Sequence, residues 1–250
     1  MKIKEGDLII LGDHRILCGD CSDTKNIKRL LGKEKIQLIN CDPPYAVSVV
    51  RSKKFLNGDT LKQRDIINDH EQTEEEYRAF TKKWLEAVKT YLDSKNAFYI
   101  FNSDKMIFAM REGIKDAGFH FAQLLIWIKN HAVVGRMDYL PMHELIAYGW
   151  YGTHRFRKSK DKSVLNYPKP HKSKLHPTMK PIGLIRNLIL NSTEIGDIVY
   201  DGFLGSGTCL LACEQTKRHC FGFELDAKYC ETIIKRYTKL SGIKAKKENI

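Results

Sequence analysis

Ile198-Val199-Tyr200-Asp201-Gly202-Phe203-Leu204-Gly205-Ser206-Gly207-Thr208 decides the reading of the fold. Three apolar residues run into an acid, a glycine-bearing turn follows, and an apolar helical pattern starts near Thr208. Strand, tight loop and helix in that order form the ligand-binding unit of open α/β sheets, where glycines let the backbone approach a bound molecule closely. Beyond the helix, Cys220-Phe221-Gly222-Phe223-Glu224 reads as a second strand ending in an acid. It lies about 20 residues on, where nucleotide-binding sheets place a carboxylate for ribose hydroxyls. The full dinucleotide pattern of glycines is absent, so anion binding at the helix end need not be the loop's main role.

Working outward, apolar runs at Arg15–Cys18, Gln37–Cys41, Ala97–Phe101, Phe121–Ile128, Leu145–Tyr148, Asp197–Tyr200 and His219–Phe223 read as strands, several continuous enough to be buried on both faces. Helical patterns lie between them. Thr73 and Glu76 form a capping box opening a helix to about Leu92, with Tyr77, Phe80, Trp84, Leu85, Val88 and Leu92 on one core-facing stripe. Further helices are predicted near Ser103–Ala117, Pro181–Asn191, Thr208–Thr216 and Ala227–Ser241. This alternation predicts an α/β fold with a doubly wound, mostly parallel sheet. A length of 250 residues suits one such domain spanning 1–250.

The formal charge of +12 is dense in residues 51–64 and 155–180, which points to a polyanionic partner rather than an evenly solvated surface. Two spans resist the strand and helix scheme. Residues 46–72 carry Arg51, Lys53 and Lys54 directly after an acidic block and are too long for an ordinary connector. Residues 129–175 interleave basic and aromatic side chains, among them Arg136, Tyr139, Arg155 and Arg157, and read as a nucleic-acid reader. The Lys-rich tail after Gly242 reads as frayed. No apolar run reaches the roughly 18 residues of a membrane span, and Met1-Lys2-Ile3-Lys4-Glu5 is not followed by a signal-peptide core, so the expected location is cytoplasmic. Seven cysteines read as reduced, small buried side chains; Cys18 and Cys21 lack a second close pair that would complete a zinc site, and no metal is expected.

Asp42-Pro43-Pro44-Tyr45 closes the strand at Gln37–Cys41. A carboxylate at Asp42 and a backbone carbonyl from Pro43, held rigid by proline rings, would accept the two N–H groups of an amine, and Tyr45 would offer a stacking face. A plain proline turn explains the same tetrapeptide equally well.

With both blocks, their order, and the intervening His176-Pro177-Thr178-Met179-Lys180-Pro181 in view, the chain resembles the beta class of S-adenosylmethionine-dependent DNA amino-methyltransferases over nearly its whole length. Trp127-Ile128-Lys129-Asn130, His143-Glu144 and Cys18-Gly19-Asp20-Cys21 also match that family's pattern. The resemblance implies a Rossmann-like sheet with circularly permuted motif order and an inserted target-recognition region, placed here at 129–175. It assigns Asp42, Pro43, Pro44 and Tyr45 to the target base. It assigns Asp20, Cys21, Thr178, Lys180, Asp201, Phe203, Gly205, Ser206, Gly207, Thr208 and Glu224 to S-adenosyl-L-methionine. Lys180 could equally cap a helix start or contact phosphate.

The implied partner is double-stranded DNA, with Arg51, Lys53 and Lys54 on phosphates and Arg136, Tyr139, Arg155 and Arg157 toward base edges; a homodimer is left open. Asp rather than Ser at position 42 implies methylation of adenine N6, with cytosine N4 the runner-up and a non-catalytic DNA-binding module the third reading. Gly202 stands where the family usually has proline, a departure expected to loosen the loop without removing a ligand contact.

Overall fold

The computed structural model describes residues 1–46, 70–132, 138–157, 161–169 and 179–248. Arg51, Lys53, Lys54, Arg136 and Thr178 lie outside the described residues. The strands are β1 (Leu8–Leu11), β2 (His14–Cys18), β3 (Ile36–Cys41), β4 (Leu92–Asn102), β5 (His120–Ile128), β6 (His143–Trp150), β7 (Thr153–His154), β8 (Val164–Asn166), β9 (Ile198–Asp201), β10 (His219–Glu224) and β11 (Lys246–Lys247). The described helices are α1 (Thr24–Leu31), α2 (Glu74–Lys89), α3 (Ile107–Asp116), α4 (Ile182–Ser192), α5 (Thr208–Thr216) and α6 (Ala227–Ser241).

The sheet order is β11-β1-β2-β10-β9-β3-β4-β6-β5-β8, with β7 beside β4. Every pairing from β2 through β4 is parallel, and β6 is inserted antiparallel between β4 and β5. β9, from the last third of the chain, pairs in parallel with β3 from the first, with Ile39 opposite Tyr200. The permuted order thereby brings Asp42 and Asp201 out side by side at one edge, the edge where open α/β sheets bind ligands.

Two cores flank the sheet. Ile27 of α1, Trp84 of α2 and Met110 of α3 are buried in the cluster on one face; Leu188 of α4, Leu210 of α5 and Ile233 of α6 are buried in the cluster on the other. The expected doubly wound arrangement is what forms, because both sheet faces carry apolar residues and each needs a helical cover.

Local chemistry sets the element ends. The Thr73 hydroxyl accepts from Glu76 N at 3.2 Å and the Glu76 carboxylate accepts from Thr73 N at 2.8 Å, the capping box read from sequence. The helix stops at Lys89, and Leu92 opens β4 rather than closing the helix. Contrary to the expectation of a frayed tail, Lys246 and Lys247 pair with Ile10 and Ile9, and Lys247 Nζ reaches the buried Asp7 carboxylate at 2.6 Å. Composition suggested fraying, and one buried carboxylate needing a cation overrides it. No helix among the described residues is long and apolar enough to cross a membrane.

Candidate active site

At the exit of β3 the chain turns through Asp42-Pro43-Pro44-Tyr45. Tyr77 of α2 donates its hydroxyl to the Pro44 carbonyl at 3.0 Å and itself accepts from Asn102 at 2.9 Å, which ties the turn to α2 and to the end of β4. Lys180 Nζ lies 2.5 Å from Asp42 Oδ2, and Tyr45 Oη donates to Asp42 Oδ1 at 2.7 Å. Glu144 joins the same cluster: its Oε2 is 3.2 Å from Lys180 Nζ and 3.1 Å from Tyr45 Oη, and its Oε1 is 3.0 Å from Lys129 Nζ.

Two carboxylates and two ammonium groups close to zero net charge in a largely buried space, which is how such a cluster is tolerated. Burial lifts the Asp42 carboxyl above the usual carboxylate range, against the pull of Lys180. Burial works the same way on Glu144, but Lys180 and Lys129 outweigh it and hold that carboxyl down at about 2. Lys180 is held above its ordinary value, since Asp42 and Glu144 overcome the penalty of burying its charge.

The second half of the site is built on the loop after β9. Asp201 Oδ1 accepts from Phe203 N at 3.0 Å, closing the turn. Gly205 and Gly207 then take φ of +52° and +82°, values that favour glycine, and deliver the chain into α5. Glu224, at the end of β10, bridges this loop to the next: Oε2 accepts from Gly205 N at 2.7 Å and Oε1 from Asp226 N at 2.9 Å. Burial pushes both Asp201 and Glu224 up to about 7.

Asp20, Cys21, Asp42, Pro43, Pro44, Tyr45, Lys180, Asp201, Phe203, Gly205, Ser206, Thr208 and Glu224 all line one cleft. Gly207 does not; a Cβ there would stand 2.9 Å from Ile233, so its role is the approach of α6 to the loop. Lys180 lines the cleft with its ammonium engaged by Asp42 and Glu144. Gly202 does not loosen its loop: its N–H donates to Cys41 Sγ at 3.2 Å, a bond proline cannot make, and Cys21 Sγ and Tyr200 Oη press within 3.2 and 3.4 Å of where a Cβ would be.

Sequence reasoning missed several lining residues. Asn40 is buried, and its Oδ1 faces no hydrogen-bond partner among the described residues. Asp226 and Tyr229 lie two and five residues beyond Glu224, so the acid at the strand end could have flagged them. Phe80, read as core, is half-buried and lines the cleft; its ring centroid is 6.0 Å from that of Phe203. These groups fit a ligand with an apolar aromatic portion and several hydroxyl or ammonium donors: unpaired Asn40 Oδ1, carboxylates at Asp20, Glu224 and Asp226, and aromatic faces at Phe80 and Phe203.

Span 129–175 does not behave as one reader. Residues 143–150 are β6, paired between β4 and β5 inside the sheet. The connection 129–142 leaves β5 and enters β6 at the Asp42 edge, and there Tyr139 is 90% exposed. Arg155 and Arg157 sit at the opposite edge, where β9 begins. Arg155 N donates to Asn96 O at 3.1 Å and its guanidinium lies 2.9 Å from Asp197, while Arg157 pairs with Glu194. Both are held in ion pairs away from the cleft, because β6 carries the chain to the far edge before reaching them. Arg155→Ala is therefore expected to cost about 1 kcal/mol of stability, a melting temperature lower by about 2–4 °C, and to leave DNA sequence preference unchanged. A shifted preference would return Arg155 to the reader.

All seven cysteines are free and buried. Contrary to the spacing argument, Cys209, Cys213 and Cys220 converge, with sulfurs within 4.8 Å of one another. Burial pushes the Cys213 and Cys220 thiols up, and Cys209, against the lowering pull of its hydrogen bond with Cys213, is raised by Cys220 and burial.

The sequence profile of the DNA methylases that act on N6 and N4 amines matches residues 36–236. The chain is 26% identical over 250 residues to the type II methyltransferase M.HinfI of Haemophilus influenzae, covering 90% of this chain and 68% of that one. Its fold is similar to that of the M1.HpyAVI–SAM complex, with TM-score 0.65 and 24% identity over 88% of this chain and 98% of that one. It is similar also to the PvuII DNA methyltransferase, described as cytosine-N4-specific, with TM-score 0.68 and 16% identity over 92% and 93%. With the profile running from the strand before Asp42 through the Asp201 loop, Glu224 and α6, the chain belongs to the DNA methylase family, the S-adenosylmethionine-dependent amino-methyltransferases of adenine N6 and cytosine N4.

Proposed function

We propose that the protein methylates the N6 amine of an adenine extruded from double-stranded DNA. The observation that carries this reading is Asp42, a carboxylate rather than a hydroxyl, held at the cleft beside the Pro43 carbonyl and the Asp201 loop. An exocyclic amine is a poor nucleophile because its lone pair is delocalised into the ring. Asp42 and the Pro43 carbonyl accept its two N–H bonds and draw the nitrogen toward tetrahedral geometry, with electrostatic preorganisation supplying the stabilisation. Tyr45 flanks the extruded base. When bound, S-adenosylmethionine supplies an electrophilic methyl group on its sulfonium. Glu224 and Asp20 accept from its hydroxyls, Asn40 from its polar tail, and Phe80 and Phe203 close the apolar side. The exposed Tyr139, with Arg136 of the same connection and Arg51, Lys53 and Lys54 of residues 46–72, supplies the DNA contacts.

Cytosine-N4 methylation is the second reading, favoured by the likeness to a methyltransferase named as cytosine-N4-specific. Transfer of labelled methyl to unmethylated DNA, followed by digestion to nucleosides and mass spectrometry, separates the two. N6-methyladenine is expected; N4-methylcytosine would install the second reading.

The site also implies a pH dependence. Glu224 is raised to about 7 without ligand, and a hydroxyl-bearing ligand needs its carboxylate form. Binding therefore expels a proton near neutrality, and affinity falls as pH drops through 7. Calorimetry in buffers of different ionisation heat is expected to show proton release at pH 6.5 and almost none at pH 8.5. No release at pH 6.5 would take Glu224 out of the ligand contact.

A further inference from the structure

Asp42 has to offer an oxygen to the target amine, and each of its two already has a partner, Lys180 on one and Tyr45 on the other. Drawing Lys180 away would strand a buried ammonium, a heavy penalty unless another carboxylate receives it. Glu144 is that carboxylate. Its Oε2 already lies within hydrogen-bond reach of both donors, at 3.2 Å from Lys180 Nζ and 3.1 Å from Tyr45 Oη. Its Oε1 is fixed by Lys129, and the pairing of Trp127 with Glu144 across β5 and β6 sets the two side chains against each other. We propose that Glu144 is a positioning residue that receives Lys180 and Tyr45 when the target amine displaces them from Asp42. The amine is neutral, so the cluster keeps zero net charge throughout, and the exchange shifts hydrogen bonds between acceptors already in contact. This rests on the amine-methylating reading of the site.

A double-mutant cycle tests it, with 2-aminopurine replacing the methylated adenine in a duplex so that fluorescence reports base extrusion without chemistry, at saturating S-adenosylmethionine. Glu144→Gln leaves Lys180 no carboxylate but Asp42, and is expected to weaken extrusion and to lower kcat on unmodified DNA at least tenfold, with cofactor affinity within twofold. In a Lys180→Met background, where only the neutral Tyr45 hydroxyl is left to receive, the same change is expected to cost less than threefold in either readout. Equal losses in the two backgrounds, or a kcat for Glu144→Gln within twofold of the parent, would overturn the proposal. Should Glu144→Gln not bind cofactor, Glu144→Asp serves instead: its shortened reach is expected to reduce extrusion at least threefold, and unchanged extrusion overturns the proposal. A parent protein that methylates no DNA overturns the functional reading itself, whereas an active parent with uncoupled variants overturns this inference alone.

Discussion

Asp42→Ala is expected to lower methyl transfer by at least a hundredfold while cofactor affinity stays within a few-fold. The side chain removed accepts an amine proton in the transition state, and loss of one such preorganised partner costs about 3–4 kcal/mol of barrier stabilisation. Cofactor affinity is spared because the groups of the other half, Glu224 and the Asp201 loop, are held by their own backbone bonds at Gly205, Asp226 and Phe203. The substitution also leaves Lys129 and Lys180 facing Glu144 alone, so Asp42→Asn, which keeps the shape, is the companion variant. Single-turnover rates and calorimetric affinities measure the two effects separately. Retention of more than about a tenth of the parent rate, a loss under about 1.4 kcal/mol, would remove Asp42 from the centre of the reaction.

Glu224→Ala carries the next largest effect. Its carboxylate holds the Gly205 and Asp226 amides at 2.7 and 2.9 Å, so the variant loses a ligand acceptor and frees the two loops that frame the cleft. Charge-assisted hydrogen bonds contribute about 1.5–3 kcal/mol each, and cofactor affinity is expected to fall roughly a hundredfold or more. DNA affinity without cofactor should hardly change. Unaltered cofactor affinity would move the ligand out of this half of the cleft.

How far the sequence carried the account depends on what kind of pattern each residue sits in. α5 and α6 were read to the residue because an apolar period ends on clear punctuation, Gly207 before one and Gly242 after the other. The cleft was legible because β9 ends in an acid, β3 is followed at once by one, and adjacent parallel strands deliver their ends to one edge. What sequence could not show was direction. Arg155 and Arg157 sit in a basic, aromatic stretch that looks like a reader, yet antiparallel β6 carries them to the far edge, and no local pattern records that reversal. Lys180 precedes α4 and Glu144 lies on β6, so their meeting at Asp42 appears only in three dimensions. Small elements escaped for a related reason: α1 shows only Ile27, Leu30 and Leu31 to the core, and β11 is two lysines made regular by Asp7 and the β1 edge.

The most direct test compares DNA from otherwise methylation-free cells expressing the parent chain or Asp42→Ala, with modified bases read by single-molecule sequencing. N6-methyladenine at one recurring sequence in the parent, and none in the variant, is the expected result. N4-methylcytosine, or a modification pattern that survives loss of Asp42, would contradict it.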